Sequence, residues 1–432
     1  MVRPLQSFFH TQAAGGIAIL AGAIVALLWA NFFGAEAYND FWHTQFLIQF
    51  GAWSLELDFK HLINEGLMTI FFLVVGLEIK RELATGELRD PRNAALPVLG
   101  AIGGMVVPAL IYLAINGGTG VGARGWGIPM ATDIAFAVGV ISLAGKGLPS
   151  GLKLFLLSLA IVDDLGAILV IAVFYSTDLA LSPLGLAATL VIAIVVMQRL
   201  QVRSMIPYII IGTALWLAVQ SSGVHASIVG ALIGLLTPST PFQRSSAVAN
   251  EARRVADLTA GDPERLDSSV GHWARLWTLS KESVSPLSRL EFHLHPWSSF
   301  VIVPLFALAN AGVEISPASL AEAASSPIAL GVAAGLVVGK TTGIWLAAWI
   351  GLKLKVARLP TGVNLSNMFA VAATAGVGFT VSLFVGELAF TDRTHIEIAR
   401  IGTLGGSLIA GVIGAFLLKR ARRSPTAPPP TR

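Results

Sequence analysis

Two adjacent carboxylates, Asp163 and Asp164, sit inside the apolar stretch LSLAIVDDLGAILVIAVF, residues 157–174. Asp133 follows Thr132 in WGIPMATDIAFAVGV, and Lys340 stands alone in GLVVGKTTGIWL. Carboxylate and hydroxyl oxygens are ligands for hard cations such as Na+ and Li+. The same carboxylates also bind protons, because burial disfavours an uncompensated charge. Successive residues of a helix differ in direction by about 100°. Asp163 and Asp164 therefore cannot point at one spot: one can face a cavity while the other meets a neighbouring helix. An isolated aspartate can also be neutral and hydrogen-bonded, serving only packing, but an adjacent pair fits that role poorly.

The elements that carry these groups are apolar throughout. Of 432 residues, 54% are hydrophobic and 12% charged, against about 25% charged in a soluble domain. A spanning helix needs about 20 mainly apolar residues. Twelve candidate stretches are expected near 13–33, 62–84, 94–115, 122–144, 151–175, 180–200, 205–219, 222–237, 295–312, 327–351, 365–387 and 400–419. With both termini cytoplasmic, 24 of the 29 Lys and Arg fall in inner segments. Four (Lys60, Arg124, Arg393 and Arg400) fall outside, and Lys340 lies within a span. Without the long 238–290 segment the ratio is still 17 to 4, the asymmetry that orients membrane proteins. The pI near 9.5 thus reflects topology and not nucleic-acid binding. The absence of cysteine excludes disulfides and thiolate metal sites.

The expected fold class is an all-α polytopic membrane protein of twelve transmembrane helices with inverted-topology repeats, two broken helices (the fourth and eleventh) and a short external β-hairpin. Residues 45–59, QFLIQFGAWSLELDF, alternate as a hairpin should. Residues 1–420 would form one transport domain. Residues 238–290 would be a cytoplasmic loop in which SSAVANEARRVADL forms a surface helix, and 421–432 a disordered cytoplasmic tail.

Depth gives the charges their meaning. Asp163 is ten residues beyond Lys153, or roughly 15 Å at 1.5 Å per residue, near the bilayer midplane. Ionisable groups there face the bundle interior and mark ion or proton paths. Pro129 and Thr132–Asp133 interrupt the fourth stretch; unwound backbone at that depth is tolerated where it lines a cavity or is buried in protein. Asp133 can bind a cation, offset half-helix dipoles or cap the second half-helix. Lys340, mid-span, needs an anionic partner or must lose its proton; snorkelling is the alternative. Gly376 and Gly378 flank Val377 in the eleventh stretch, with Thr374 and Thr380 nearby. The fourth and eleventh stretches are an odd number of crossings apart, so they run antiparallel. Their interruptions point to an inverted repeat with a site where the breaks meet. One site that takes a cation or protons, reached from alternate sides, is an exchanger. GGTGVG at 117–122 lacks the Lys-Ser/Thr of a phosphate loop, so no ATP drive or other cofactor is expected.

The segments FFLVVGLEIKREL, MATDIAFAVGV, LAIVDDLGAI, SGVHAS, HPW, PLFALANAGV and GVGFTVS resemble those of the bacterial NhaA-type sodium/proton antiporters over nearly the whole chain. The resemblance implies cation and proton binding at Asp163 and Asp164, with Asp133 and Thr132 contributing and Na+ or Li+ held transiently. It implies that Asp133 and Lys340 balance the half-helix ends, with Lys340 able to pair with Asp163. It also implies an electrogenic cycle, an inner-membrane location and a homodimer formed partly through the 45–59 hairpin. pH sensing would fall to Glu78, Arg81, Glu82, Glu291 and His295, all otherwise ordinary helix-end charges. Here the chain departs from some members: a histidine they carry at the position of Phe292 is displaced to His293, and the 238–290 loop is expanded. His225 would tune pH response or cap its helix. The rivals are a proton-coupled symporter of an organic solute, which needs a roomier site, and a membrane sensor, which would exchange nothing. The expected partners are Na+, Li+, H+ and the lipid bilayer, with no nucleic acid.

Overall fold

The structure, a computed structural model, describes residues 2–50, 53–145, 148–176, 179–260, 270–360 and 362–421. Apolar runs of this length become helices because a helix satisfies its backbone groups internally, which lipid cannot do for them. Along the chain the elements are α1 (Val2–Phe32), α2 (Ala35–Trp42), β1 (Gln45–Phe50), β2 (Trp53–Asp58), α3 (Phe59–Thr85) and α4 (Pro91–Asn116). A 3₁₀ segment, Gly122–Met130, leads to α5 (Ile134–Ala144). Next come α6 (Ser150–Phe174), α7 (Leu181–Arg199), α8 (Ile206–Gln220), α9 (Ser227–Leu236), α10 (Ser245–Ala260), α11 (Val270–Glu282) and α12 (Pro286–Asn310). The chain closes with α13 (Pro317–Ser325), α14 (Pro327–Lys353), α15 (Leu365–Thr374), α16 (Phe379–Ala389) and α17 (Arg393–Ala421).

Eight of these helices are long and apolar enough to cross a membrane: α1, α3, α4, α6, α7, α12, α14 and α17. Two bent pairs, 122–130 with α5 (45°) and α15 with α16 (51°), bring the number to ten if each is one span. The remaining two apolar stretches, α8 and α9, are shorter. Several boundaries differ from expectation, and α1 already begins at Val2 instead of near 13. Helix α12 begins at Pro286 instead of near 295, because Ser285 caps it by accepting from Ser288 N at 3.2 Å and proline suits the first helical turn. Helix α17 begins at Arg393 instead of 400. Helix α9 is shorter than 222–237 because residues 222–226 form a turn through Gly223 at φ +83° and Pro238 disfavours helical geometry at Thr237.

Strands β1 and β2 pair antiparallel, with Gln45 opposite Asp58 and Phe50 opposite Trp53; Gly51 and Ala52, the expected turn, lie outside the described residues. The expected helix in 238–290 is α10, and α11 is an addition to it. The base of this excursion is closed by Gln243 N donating to Glu282 O (3.0 Å) and Leu287 N to Pro238 O (3.2 Å). The expected disordered tail lies outside the described residues from 422 onward.

Glycines set the closest helix approaches. A Cβ on Gly103 of α4 would come within 2.2 Å of Gly343 O on α14, and the converse holds for Gly343. Small residues let membrane helices pack by backbone contact, and here they press the helix that carries Lys340 against α4. Directly before Lys340, residues Gly335–Gly339 form a π-helical turn, a local widening common at functional positions.

Candidate functional site

The two helix breaks cross and are stitched to one another. The Asp133 N–H donates to Val377 O at 2.7 Å, and the Thr132 hydroxyl donates to Ala375 O at 2.9 Å. In return, Thr380 donates to Asp133 Oδ2 from both its hydroxyl (2.6 Å) and its N–H (3.2 Å). Asp133 Oδ1 accepts from Phe136 N at 3.1 Å, so Asp133 also caps α5. Carbonyls freed by each interruption thus find donors on the other, which is how non-helical backbone survives at this depth. Gly378 permits the approach, since a Cβ there would meet Ala131 O at 2.9 Å, and Gly376 lets the same break sit against α14, where a Cβ would meet Leu336 O at 2.4 Å.

The carboxylate pair separates as helical geometry requires. Asp163 is 1% exposed and turns to α14, where Lys340 Nζ lies 2.5 Å from its Oδ2. Lys340 is fully buried; its stem passes Gly104 and its charge ends on Asp163 instead of reaching a membrane surface. Among the described residues no hydrogen-bond donor lies at bonding distance from Asp163 Oδ1, with Thr132 alongside. Asp164 turns away from Lys340 into a cavity of about 60 Å³ that is also lined by Thr132, Asp133, Thr380, Glu78 and His295. Among the described residues, no three His, Asp or Glu side chains converge as they would round a resident metal ion.

Five of the six remaining candidates gather at the end of the bundle away from the hairpin. Glu78 is buried beside His295, with Nε2 3.6 Å from Oε1. Arg81 pairs with Glu291 and lies 3.8 Å from Glu82, and Glu82 accepts from Glu87 N at 3.1 Å. Glu78 and His295 connect this cluster to the cavity that holds Asp164. His225 is elsewhere, at the hairpin end, 3.5 Å from Glu65; Ala226, not His225, is the N-cap residue of α9. Phe292 is exposed, and its ring stands edge-on to His293.

Sequence reasoning did not anticipate Thr380 as the partner of Asp133, nor a second buried charge cluster at the hairpin end. There Glu387 is held by Lys60 (2.7 Å) and by Arg400 (2.5 and 3.0 Å). Glu387 at the last position of an apolar stretch was the one available signal. Lys60 and Arg400 read only as outer basic residues.

The sequence profile of the family described as Na+/H+ antiporter 1 matches residues 6–418. The chain is 44% identical over 426 residues to the Na(+)/H(+) antiporter NhaA of Oleidesulfovibrio alaskensis, covering 97% of this chain and 94% of the relative. It is 45% identical over 416 residues to Na(+)/H(+) antiporter NhaA 2 of Sorangium cellulosum (95% and 88%), and 44% identical over 434 residues to the Na(+)/H(+) antiporter NhaA of Rhodopirellula baltica (100% and 96%). A helical membrane protein with two crossed helix breaks and a carboxylate pair beside them, it belongs to the Na+/H+ antiporter family.

Proposed function

We propose that the chain exchanges cytoplasmic Na+ or Li+ for external H+ at one shared site, by alternating access. The observation that carries this reading is the division of labour between Asp163 and Asp164. Asp164 is the ligand open to a cavity, flanked by the oxygens of Thr132 and Asp133. Asp163, one residue away, is held by Lys340. A cation entering the cavity binds Asp164 and draws Asp163 from Lys340; protons arriving at the carboxylates restore the pair and release the cation. Exchange is obligatory because two ionised aspartates cannot stay buried without countercharge. Asp133, tied to Thr380 and to the N-terminus of α5, offsets the positive ends of the half-helices. Moving more protons than cations per cycle makes the process electrogenic.

Cavity size favours exchange over organic-solute symport. About 60 Å³ holds a few waters or a partly hydrated cation, whereas small-molecule sites run to roughly 300–1,000 Å³. In this reading α8 and α9 complete twelve spans, residues 1–420 form one inverted-repeat transport unit in the bacterial inner membrane, both termini are cytoplasmic and the hairpin is external. The Glu78 cluster, at the cytoplasmic mouth, sets the pH response, and the hairpin joins two copies.

The test is purified protein in weakly buffered detergent solution. Na+ or Li+ should release protons with no membrane gradient, and K+ or Ca2+ should not. In proteoliposomes carrying a pH dye the same ions should dissipate an imposed gradient. Sodium binding without proton release at any pH from 6 to 9 would replace the shared site with a symport or separate-site mechanism.

A further inference from the structure

The second buried charge cluster lies against a cavity of about 420 Å³ at the hairpin end, whose lining includes Lys60, Phe384, Glu387 and Arg400. One acid sits between two bases. Glu387 Oε2 is 2.7 Å from Lys60 Nζ, and its Oε1 accepts from Arg400 Nη2 at 2.5 Å and Nε at 3.0 Å. The three side chains are 10%, 14% and 6% exposed. Arg400 Nη1 reaches Gly312 O at 3.4 Å. The Gly312 N–H donates to Tyr38 Oη (3.2 Å), which donates to Leu308 O (2.7 Å). Burial pushes the Tyr38 phenol up to about 12, so it stays a neutral donor. Through Glu387 the cluster ties α16 to α3 and α17, and through Arg400 to the end of α12.

Helix α16 also reaches the carboxylates. Thr380 holds Asp133 at its first turn. Phe384, one turn on, is fully buried against Phe72 (ring centroids 5.4 Å apart) and Phe306 (6.1 Å) and forms the floor of the hairpin-end cavity. Glu387 follows three residues later, roughly 10 Å along the axis from Thr380 at 1.5 Å per residue. The cavity that holds Asp164 opens on Glu78 and His295 instead. An eleven-residue helix moves as a unit. Phe384 cannot leave its neighbours without Glu387 shifting against Lys60, Arg400 or both.

We infer that Glu387, clasped by Lys60 and Arg400, is a positioning residue that latches α16 in the state whose carboxylates face the Glu78 end, and that its release accompanies opening toward the hairpin end. The inference rests on the alternating-access reading above. The latch touches no transported ion; it sets the population of the two states. A ligand's apparent affinity is divided by the fraction of protein competent to bind it, so weakening the latch has a signature that depends on the side. Raising a hairpin-open state from about 1% to about 10% lowers the apparent Na+ KM on the hairpin side about tenfold and barely raises it on the other.

The experiment measures Na+/H+ exchange in vesicles of both orientations for the wild type, Glu387→Gln, Lys60→Gln and Glu387→Asp. Glu387→Gln should lower the hairpin-side KM about tenfold without lowering the opposite one. Lys60→Gln, which keeps the Glu387–Arg400 pair, should shift it the same way by less, and Glu387→Asp should return it toward the wild-type value. If Glu387→Gln does not assemble, the Lys60→Gln and Glu387→Asp proteins decide. A clamp that only holds the fold would change the rate and stability but leave the hairpin-side KM unchanged, and that result, or a rise, overturns the latch. Absence of exchange in the wild type would instead overturn the proposed function and is distinct from either outcome.

Discussion

Two of the buried charge clusters are built on opposite principles. At the helix crossing three aspartates, Asp133, Asp163 and Asp164, lie near one base, Lys340, which pairs with Asp163, and among the described residues no hydrogen-bond donor lies at bonding distance from Asp163 Oδ1. At the hairpin end, the single acid Glu387 is held by two bases, Lys60 and Arg400, which engage both of its oxygens. Burying a charge is costly unless it is paired and hydrogen-bonded. The hairpin-end cluster meets that requirement in the resting fold. The crossing does not, and its shortfall is of the sign that a cation or a proton makes good. A buried carboxylate short of countercharge is thus, in the proposed exchange, where the ions go, and one whose two oxygens are both engaged by bases holds helices together.

The largest test of this contrast removes the shortfall. In Asp164→Asn the cavity loses its one aspartate that is tied neither to Lys340 nor to Thr380. Na+-induced proton movement in proteoliposomes should fall at least about a hundredfold, as when a charged ligand is withdrawn from a buried ion (~3 kcal/mol or more). Asp163→Asn should be similarly inactive, since Lys340 is then left without its acid. Full exchange by Asp164→Asn would place the site elsewhere.

A smaller effect follows if the same carboxylates carry both ions. The apparent Na+ KM of the wild type should rise as pH falls, approaching about tenfold per pH unit for each proton displaced. A KM that stays constant from pH 6 to 9 would mean that the crossing holds its protons and its cation at separate places.

The next comparison is in stability. Glu387→Gln leaves two buried bases, one of them an arginine, which cannot discharge. Removing one member of a buried pair costs about 3–5 kcal/mol, and because Lys60 can shed its proton while Arg400 cannot, the lowered melting temperature should not recover toward acid pH. Lys340→Ala leaves carboxylates, which can take up protons. Its melting temperature should fall most at alkaline pH and recover toward pH 6, and its exchange profile should shift with it. If the two variants showed the same pH dependence, the distinction between the clusters would fail.

What the sequence disclosed follows the same division. Asp163, Asp164 and Lys340 stood out because charge inside an apolar run has few explanations. The breaks were visible through Pro129, Thr132 and the Gly376–Gly378 pair, and the hairpin through its alternation. Lys60, Glu387 and Arg400 each sit near the end of an apolar stretch, where charges are commonplace, and the first is over 300 residues from the others. Only packing makes them one cluster. Thr380 had been noted near the break, but its bond to Asp133 depends on the crossing itself. The π-helical turn before Lys340 has no sequence signature distinct from ordinary helix. Helix α11 escaped notice because its apolar residues, Trp273 and Trp277 among them, are interspersed with charged and polar ones in a segment that is polar as a whole.

The smallest expected effect lies where neither principle operates, in the pair α10 and α11. Glu251 of α10 accepts from His272 of α11 at 2.8 Å, with Arg275 at 3.8 Å and Arg254 at 4.0 Å. The His272 hydrogen bond, assisted by the two guanidinium groups, holds the Glu251 carboxyl below its ordinary value. A carboxyl whose folded value is depressed contributes stability above its unfolded value, near pH 4.3, and that contribution is lost as pH falls through the lower folded value. Its partners are largely exposed (Arg254 67%, Arg275 64%, His272 42%), so solvent and salt screen the pairing. Glu251→Gln should therefore leave Na+/H+ exchange unchanged, since this contact is remote from both membrane clusters. At neutral pH it should slightly increase hydrogen exchange in 245–260 and 270–282, and that difference from the wild type should vanish once the pH is low enough to protonate Glu251 in the native protein. A large loss of exchange in Glu251→Gln would show that the 238–290 excursion is coupled to the carboxylate crossing, and the separation drawn between the charge clusters and the rest of the chain would have to be redrawn.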